Sequence, residues 1–350
     1  MQFMASNLRG MARFLTGILA AIVCLAALPT AGAQTTPVSE VASTFEIVKA
    51  APGEFRAITE PPCSYCSTQH RKGLINGDDR VIAWLRASHN GGAFPLRHFL
   101  SASRVVNDTY GLFFYDPDGG YVSAFPNDYG YELYGWKNGV MVVRSEDGTL
   151  WSALTGKAFD GPRRGQRLQR IPSLVTNWDH WMMLHPESTA YDLFDGKTYE
   201  ITPLPVEMHA SAKASMSPGD ERLEPMTTIM GVESGDDQTA FVLDTTAARD
   251  CILGTVGGEE VAVLWYGATQ TAVTFSRKFD GRSLTLYADD ISPESAPFKD
   301  KETGTRWTVA GRGVDGPLRG QELTWVSSIQ CRWHAWSAEY PETDLHENSR

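Results

Sequence analysis

One pattern occurs twice in this chain, and that constrains its fold more than anything else in the sequence. Residues 148–187 read GTLWSALTGKAFDGPRRGQRLQRIPSLVTNWDHWMMLHPE, and residues 304–342 read GTRWTVAGRGVDGPLRGQELTWVSSIQCRWHAWSAEYPE. With one single-residue gap before Gly156, sixteen positions are identical, among them Gly148, Trp151, Gly156, Gly161, Pro162, Gly165, Trp178, Trp181 and Pro186. Shared glycines and tryptophans in register over this length mark a duplicated unit of domain size, not a short solenoid period.

The organisation that follows is a signal peptide over 1–33, a leader over 34–60, a first unit over 61–200, a linker over 201–225 and a second unit over 226–346. Arg9 and Arg13 precede an apolar run from Phe14 to Leu28, and Ala31-Gly32-Ala33 supplies a small-residue cleavage site. The run is shorter than the ~20 residues a helix needs to cross a bilayer. The expectation is an exported protein, periplasmic or extracellular, with no transmembrane span in the mature chain. Cleavage removes two arginines and no acid, so the net charge goes from -11 to -13. That balance excludes nucleic acid as a partner, because phosphate neutralisation needs clustered Lys and Arg.

Short apolar or alternating runs separated by Gly, Asp, Asn and Pro read as strands: Val81–Leu85, Leu112–Tyr115, Tyr121–Phe125, Val140–Arg144, Ala240–Leu243, Val261–Tyr266, Thr271–Phe275 and Ser283–Tyr287. Trp178, Trp181, Met182 and His185 fall at helical spacing, with Thr176 as N-cap and Pro186 as stop. Trp333, Trp336 and Tyr340 repeat this before Pro341. The fold class is therefore α+β and β-rich, with two duplicated units related by pseudo-symmetry, each of short strands and a short C-terminal helix.

Residues kept in both copies are read as structural: the tryptophans as core, Gly161-Pro162 and Gly165 as a turn. Differences between the copies point to function. Anchored on Thr109 and Thr255, Asn107-Asp108 stands opposite Leu253-Gly254. Ser152 becomes Thr308, Thr155 falls opposite Ala310, Thr176 becomes Cys331 and His185 becomes Tyr340. The first copy keeps polar groups that the second lacks, which makes Asn107, Asp108, Ser152 and Thr155 the candidate ligand-binding residues. Asn-Asp-Thr turns and Ser/Thr caps are the structural alternative.

The segment Val105-Val106-Asn107-Asp108-Thr109, followed by LWSALTGKAFDGPRRGQRL and IPSLVTNWDHWMMLHPES, resembles the DUF3179 family, exported or envelope proteins of undefined function. The resemblance covers about Val81 to Ser188 and returns more faintly over Met226 to Thr343, which implies tandem units with the second degenerate. Many relatives carry Cys-Pro-Leu-Cys after the Asn-Asp-Thr strand and His-Glu before it. This chain has Tyr115-Asp116-Pro117-Asp118-Gly119 and Ser103-Arg104 at those places, so a thiol or metal role in such relatives does not carry over.

Outside the repeat, Cys63-Ser64-Tyr65-Cys66-Ser67-Thr68-Gln69-His70 forms C-x2-C-x3-H. Two thiolates and an imidazole suit a transition metal, zinc or copper. A structural disulfide, a redox pair and free thiols are the other readings. Asp116, Asp118, Asn127 and Asp128 make an oxygen-rich stretch without the EF-hand pattern, best read as turn chemistry. Neither His-Glu-x-x-His nor Gly-x-Ser-x-Gly occurs. The leading reading is an exported, non-catalytic binding or assembly protein with a small-molecule or envelope partner. Behind it stand a metal-handling or thiol protein using Cys63, Cys66 and His70, and an envelope hydrolase or transferase using Asp108 with Ser152 or His98.

Overall fold

The computed structural model describes residues 46–65, 75–85, 91–96, 104–127, 130–191 and 207–346. The signal segment lies outside them. The described chain is β-rich with few helices. Its first half runs through β1 (Val48–Lys49), β2 (Ile58–Thr59), β3 (Cys63–Tyr65), β4 (Arg80–Leu85), β5 (Gly91–Pro95), β6 (Val105–Asp108), β7 (Gly111–Asp116) and β8 (Tyr121–Phe125). It continues with β9 (Tyr131–Lys137), β10 (Val140–Ser145), β11 (Leu150–Ser152), β12 (Ala158–Asp160), β13 (Ser173–Asn177), helix α1 (Trp178–Leu184) and β14 (Thr189–Tyr191). Helix α2 (Ala210–Ala214) leads to β15 (Thr228–Ser234), β16 (Asp237–Val242), β17 (Arg249–Val256), β18 (Glu259–Tyr266) and β19 (Thr271–Ser276). Then come β20 (Lys278–Phe279), β21 (Arg282–Ser283), β22 (Leu286–Ala288), β23 (Phe298–Asp300), β24 (Arg306–Trp307), β25 (Gly313–Asp315), β26 (Ser328–Arg332), α3 (Trp333–Glu339) and β27 (Asp344–His346).

Two sheets carry the helices, and they share a strand order. In one, β13 pairs antiparallel with β4, β4 antiparallel with β5, and β14 lies parallel to β5. In the other, β26 pairs antiparallel with β15, β15 antiparallel with β16, and β27 lies parallel to β16. Each half also holds an antiparallel meander, β6-β7-β8 and β17-β18-β19. The middle strand is buried along its whole length in β7 and over its last six residues in β18, which explains the unbroken apolar runs in the sequence.

The halves are packed crosswise. The largest core joins Val105, Phe114, Trp136, Val143 and Trp151 of the first half to Ile229, Ile329, Cys331, Trp333 and Trp336 of the second. A second core, around Leu264, Phe275, Phe298 and Trp307, takes Leu174 and Leu184 from the first half. Hydrogen bonds cross in both directions: Arg332 N donates to Gly119 O at 2.7 Å, and Thr271 Oγ1 donates to Val175 O at 2.8 Å.

The repeated tryptophans are buried; those of two pairs donate their indole N–H to a hydroxyl or carboxylate, and Trp333 Nε1 donates to Asp220 O at 3.0 Å. Trp181 Nε1 donates to Ser188 Oγ at 2.7 Å and Trp336 Nε1 to Thr343 Oγ1 at 2.9 Å. Trp151 Nε1 donates to Ser145 Oγ and Trp307 Nε1 to Asp300 Oδ2, both at 2.9 Å. Trp336 lies so close over Gly231 that a Cβ there would sit 2.3 Å from its ring. The repeated turn needs glycine for a second reason: Gly161 and Gly316 have φ of +89° and +102° and lie against the Cα atoms of Thr149 and Thr305.

Two local expectations, an N-cap and a strand, change, and the leader and linker segments contribute elements of their own. The N-cap of α1 is Asn177, without a side-chain cap bond, because Thr176 Oγ1 instead meets His180 Nδ1 at 2.8 Å. Strands β1 and β2 tie part of the leader to β9 and β6. Within the described part of the 201–225 segment, α2 buries Ala212, and His209, its N-cap, stacks on Trp136. The Ser283–Tyr287 run is split between β21 and β22.

Because Trp336 is fully buried between the halves and hydrogen-bonded, Trp336→Ala is expected to cost about 3–5 kcal/mol. Thr343→Val, which removes only the indole's acceptor, should cost about 1–3 kcal/mol. Denaturant unfolding of both variants checks this order.

Candidate functional site

Asn107 and Asp108 sit at the end of β6, both buried. Asn107 mimics a strand partner: Nδ2 donates to Tyr131 O at 2.9 Å and Oδ1 accepts from Tyr131 N at 2.8 Å, fastening β6 to the start of β9. Asp108 Oδ1 accepts from the backbone N–H of Tyr110 at 2.9 Å and from the Tyr191 hydroxyl at 3.0 Å. The first bond shapes the tight β6–β7 hairpin, and the second reaches β14.

Ser152 and Thr155 belong to a different neighbourhood, completed by residues from the far end of the chain. Ser152 Oγ accepts from Thr155 N at 3.2 Å, and Thr155 Oγ1 donates to Glu339 Oε2 at 3.3 Å. Burial pushes the Glu339 carboxyl above its ordinary range, with Ser152 and Thr155 pulling the other way. Beside it, the nearly buried Glu233 accepts from Arg167, from Arg170 at 3.3 Å and from the Tyr340 hydroxyl at 2.8 Å. Burial alone would raise Glu233, but Arg170, Arg167 and Tyr340 outweigh it and hold the carboxylate below its usual range. Tyr340 also accepts from Arg167 at 3.0 Å, and Lys157 lies 4.9 Å from its ring centre.

This junction contains the four residues that comparison of the copies missed: Glu233, Glu339, Arg167 and Tyr340. Three left a trace in the repeat, Arg167 standing opposite Glu322. Leu184 stands opposite Glu339 and His185 opposite Tyr340, so the helix read as having lost polar groups supplies a carboxylate and a phenol to the first half. At the matching place in the other half, Leu184 enters an apolar core and burial pushes His185 down to about 4, helped by Arg312.

Asp116 and Asp118 do form a turn, over residues 117–120, with Asp118 N donating to Asp116 Oδ1 at 3.1 Å. Both are buried on Arg104, whose Nη1 lies 3.4 Å from Asp116 Oδ1 and 2.9 Å from Asp118 Oδ2. Asp118 Oδ1 also accepts from His209 N at 2.8 Å. Burial, with Asp118 adding to it, pushes the Asp116 carboxyl up. The Arg104 guanidinium lies 4.4 Å from the Phe55 ring centre.

Between the halves lies a cleft of about 340 Å³. Its walls are Tyr121 and Val122 of β8, Ser173, Leu174 and Val175 of β13, Ala272 and Val273 of β19, and Ser328, Ile329, Gln330 and Arg332 of β26. Trp265, Trp325, Tyr115 and Arg80 complete it. Arg80 donates to the carbonyls of Thr269 and Gln270, and Arg332 Nη1 to Met226 O at 2.9 Å and Thr228 Oγ1 at 3.1 Å.

Cys63 carries an exposed side chain on β3, whereas Cys66, His70 and His98 lie outside the described residues. Among the described residues, no group of three His, Cys, Asp or Glu is placed to hold a metal. Cys251 and Cys331 are free thiols in separate cores, and burial raises both. No helix among the described residues is long and apolar enough to cross a membrane.

The molecule is thus a β-rich protein with few helices and a cleft between its halves. The chain belongs to the DUF3179 family, described as proteins of unknown function, whose model matches residues 134–343. The match is a single span beginning in β9, running through α2 and ending before β27, so Asn107 and Asp108 precede it. Ser152, Thr155, Glu233 and Glu339 all fall inside. No curated protein and no solved structure matches the chain.

Glu233→Gln should destabilise the protein by about 3 kcal/mol, because it leaves Arg170 buried without its counter-charge. Glu339→Gln, which keeps the hydroxyl contacts of an already disfavoured carboxylate, should change stability by less than about 1 kcal/mol. Urea titration of the two variants distinguishes the roles.

Asp116 gives a pH signature. Its folded-state pKa is raised, so the native state binds more protons than the unfolded one as pH climbs above the ordinary Asp range. Stability from this group is greatest at low pH and is lost as pH rises through the folded value. Asp116→Asn should remove that decline, so its stability relative to wild type should increase with pH through and just above the carboxylate range. Unfolding curves from pH 4 to pH 7 test it.

Proposed function

We propose that this is an exported, non-catalytic binding protein that holds a small molecule in the cleft between two halves derived from one duplicated unit. The observation that carries the reading is the cleft itself: both halves supply its walls, and two tryptophans and small side chains such as Ser173, Ala272 and Ser328 line it. Concave sites with a few convergent polar groups are where small ligands bind, and this cleft has a mixed polar and apolar lining. The duplication is supported by the common strand order of the two helix-bearing sheets and by the matched tryptophan contacts. The units are taken as 61–200 and 226–346, and export rests on the segment 1–33.

Catalysis by Asp108 with Ser152 ranks lower because the two serve separate networks, one at Tyr110 and Tyr191, the other at Thr155 and Glu339; His98, the alternative partner, lies outside the described residues. The test is native mass spectrometry of the mature protein incubated with a small-molecule extract of its own compartment. A stoichiometric adduct, released with unchanged mass and lost when Ser173→Trp and Ser328→Trp fill the cleft, is the expected result. No adduct, or an adduct indifferent to the filled cleft, overturns the reading.

A further inference from the structure

The charge of the cleft runs against the charge of the chain. The protein has 42 acidic residues against 31 basic ones, yet the cleft is lined by Arg80 and Arg332 and by no aspartate or glutamate. Neither arginine has a carboxylate partner within salt-bridge distance among the described residues. Their side-chain hydrogen bonds go to neutral oxygens, the carbonyls of Thr269, Gln270 and Met226 and the hydroxyl of Thr228. Carbonyls orient a guanidinium without cancelling its charge.

The acids beside the lining residues are engaged elsewhere: Asp79 Oδ2 accepts from Asn76 N at 2.7 Å and Asp244 Oδ1 from Thr246 N at 3.0 Å. Tyr115 and Pro117 line the cleft, while Asp116 and Asp118, which alternate with them, are committed to Arg104. The cleft therefore keeps two uncompensated positive charges beside a partly apolar wall that includes Val122, Val273, Trp265 and Trp325. A half-buried guanidinium without a counter-ion is costly, and an anionic group forms charge-assisted hydrogen bonds to it of about twice the ordinary strength.

We infer that the cleft takes an organic anion, an acidic headgroup held by Arg80 and Arg332 with an apolar body against Trp325 and Val122. This rests on the proposed binding function and specifies its ligand class. A carboxylate and a phosphate headgroup share the chemistry, and the experiment separates them.

The mature full-length protein is titrated with the neutral dye N-phenyl-1-naphthylamine, and the bound dye is displaced by octanoate, octyl phosphate or 1-octanol, which share one chain. At least one acid is expected to displace the dye at a concentration at least tenfold below that of octanol, and the more effective acid identifies the headgroup. Arg80→Gln and Arg332→Gln should each reduce that advantage severalfold while leaving octanol unchanged. Arg80→Lys, which keeps the charge, should retain part of it, and matching thermal unfolding midpoints confirm that the variants are folded. Equal displacement by acids and alcohol, or an acid advantage that survives both Gln variants, overturns the anion assignment and leaves the binding reading standing. A dye that fails to bind saturably, or binds equally when Ser173→Trp and Ser328→Trp fill the cleft, removes both.

Discussion

The seating of α3 and its sheet on the first half's strands is the interaction on which the rest of the structure depends. Trp333 and Trp336 share one core with Trp136 and Trp151, and Leu184 of α1 enters the opposite half's core. Neither half completes its burial alone. Large aromatics dominate core energetics, so opening the halves would expose the tryptophans that contribute most to burial. The cleft is consequently a fixed feature of the folded state, shaped by the same packing that keeps the chain folded.

Polar groups are unevenly divided between the two crosswise junctions. One holds Glu233, Arg167, Arg170, Tyr340 and Glu339; at the other, the positions matching Arg167, Arg170 and Glu339 are Glu322, Trp325 and Leu184. Trp325 in place of Arg170 has a direct structural result, because it lines the cleft instead of reaching a buried carboxylate. At that one junction, tryptophan thus stands where the other has an ion pair, and supplies an aromatic wall instead. Arg104 with Asp116 and Asp118 is a second buried charge cluster, and it faces Phe55, Trp136 and α2 instead of the cleft.

Much of this architecture was legible in the sequence because apolar periodicity and turn glycines report on local structure. The strand runs, the tryptophan helices and the Gly161 turn are of that kind. What stayed hidden were contacts between residues far apart in the chain. Thr155 meets Glu339 and Arg167 meets Glu233 only because α3 and β15 fold onto the first half, and no spacing rule encodes that. Comparing the copies position by position identified Ser152 and Thr155 as unusual. It also misjudged Tyr340 as a polar loss, because its hydroxyl serves a carboxylate in the same half and an arginine in the other. At Asp116 and Asp118 the turn was legible from a Pro- and Gly-containing acidic stretch, but its burial on Arg104 was not, because only the fold brings that guanidinium beneath it.

The cleft itself is a consequence of strand edges. Strands β8, β13, β19 and β26 surround it, and β8 and β19 join the other two through connecting segments, by Ile171 N to Ala124 O at 2.9 Å and Val326 N to Thr274 O at 3.0 Å. Where ladders do not close, side-chain size decides whether the space fills. Here Ser173, Ser328, Ala272 and Gly120 are small, while Trp265 and Trp325 wall the sides without plugging the centre. Arg80 lies at the β4 end beside β13 and Arg332 at the β26 end beside β15, each next to the strand that lines the opening. A larger apolar side chain at Ser173 or Ser328 would bring the walls together, and burying either arginine beneath it without an anion would leave a guanidinium desolvated on neutral oxygens. The small residues and the two cations therefore constrain each other: as long as the charges stay unpaired, the cleft has to admit water or a negatively charged ligand.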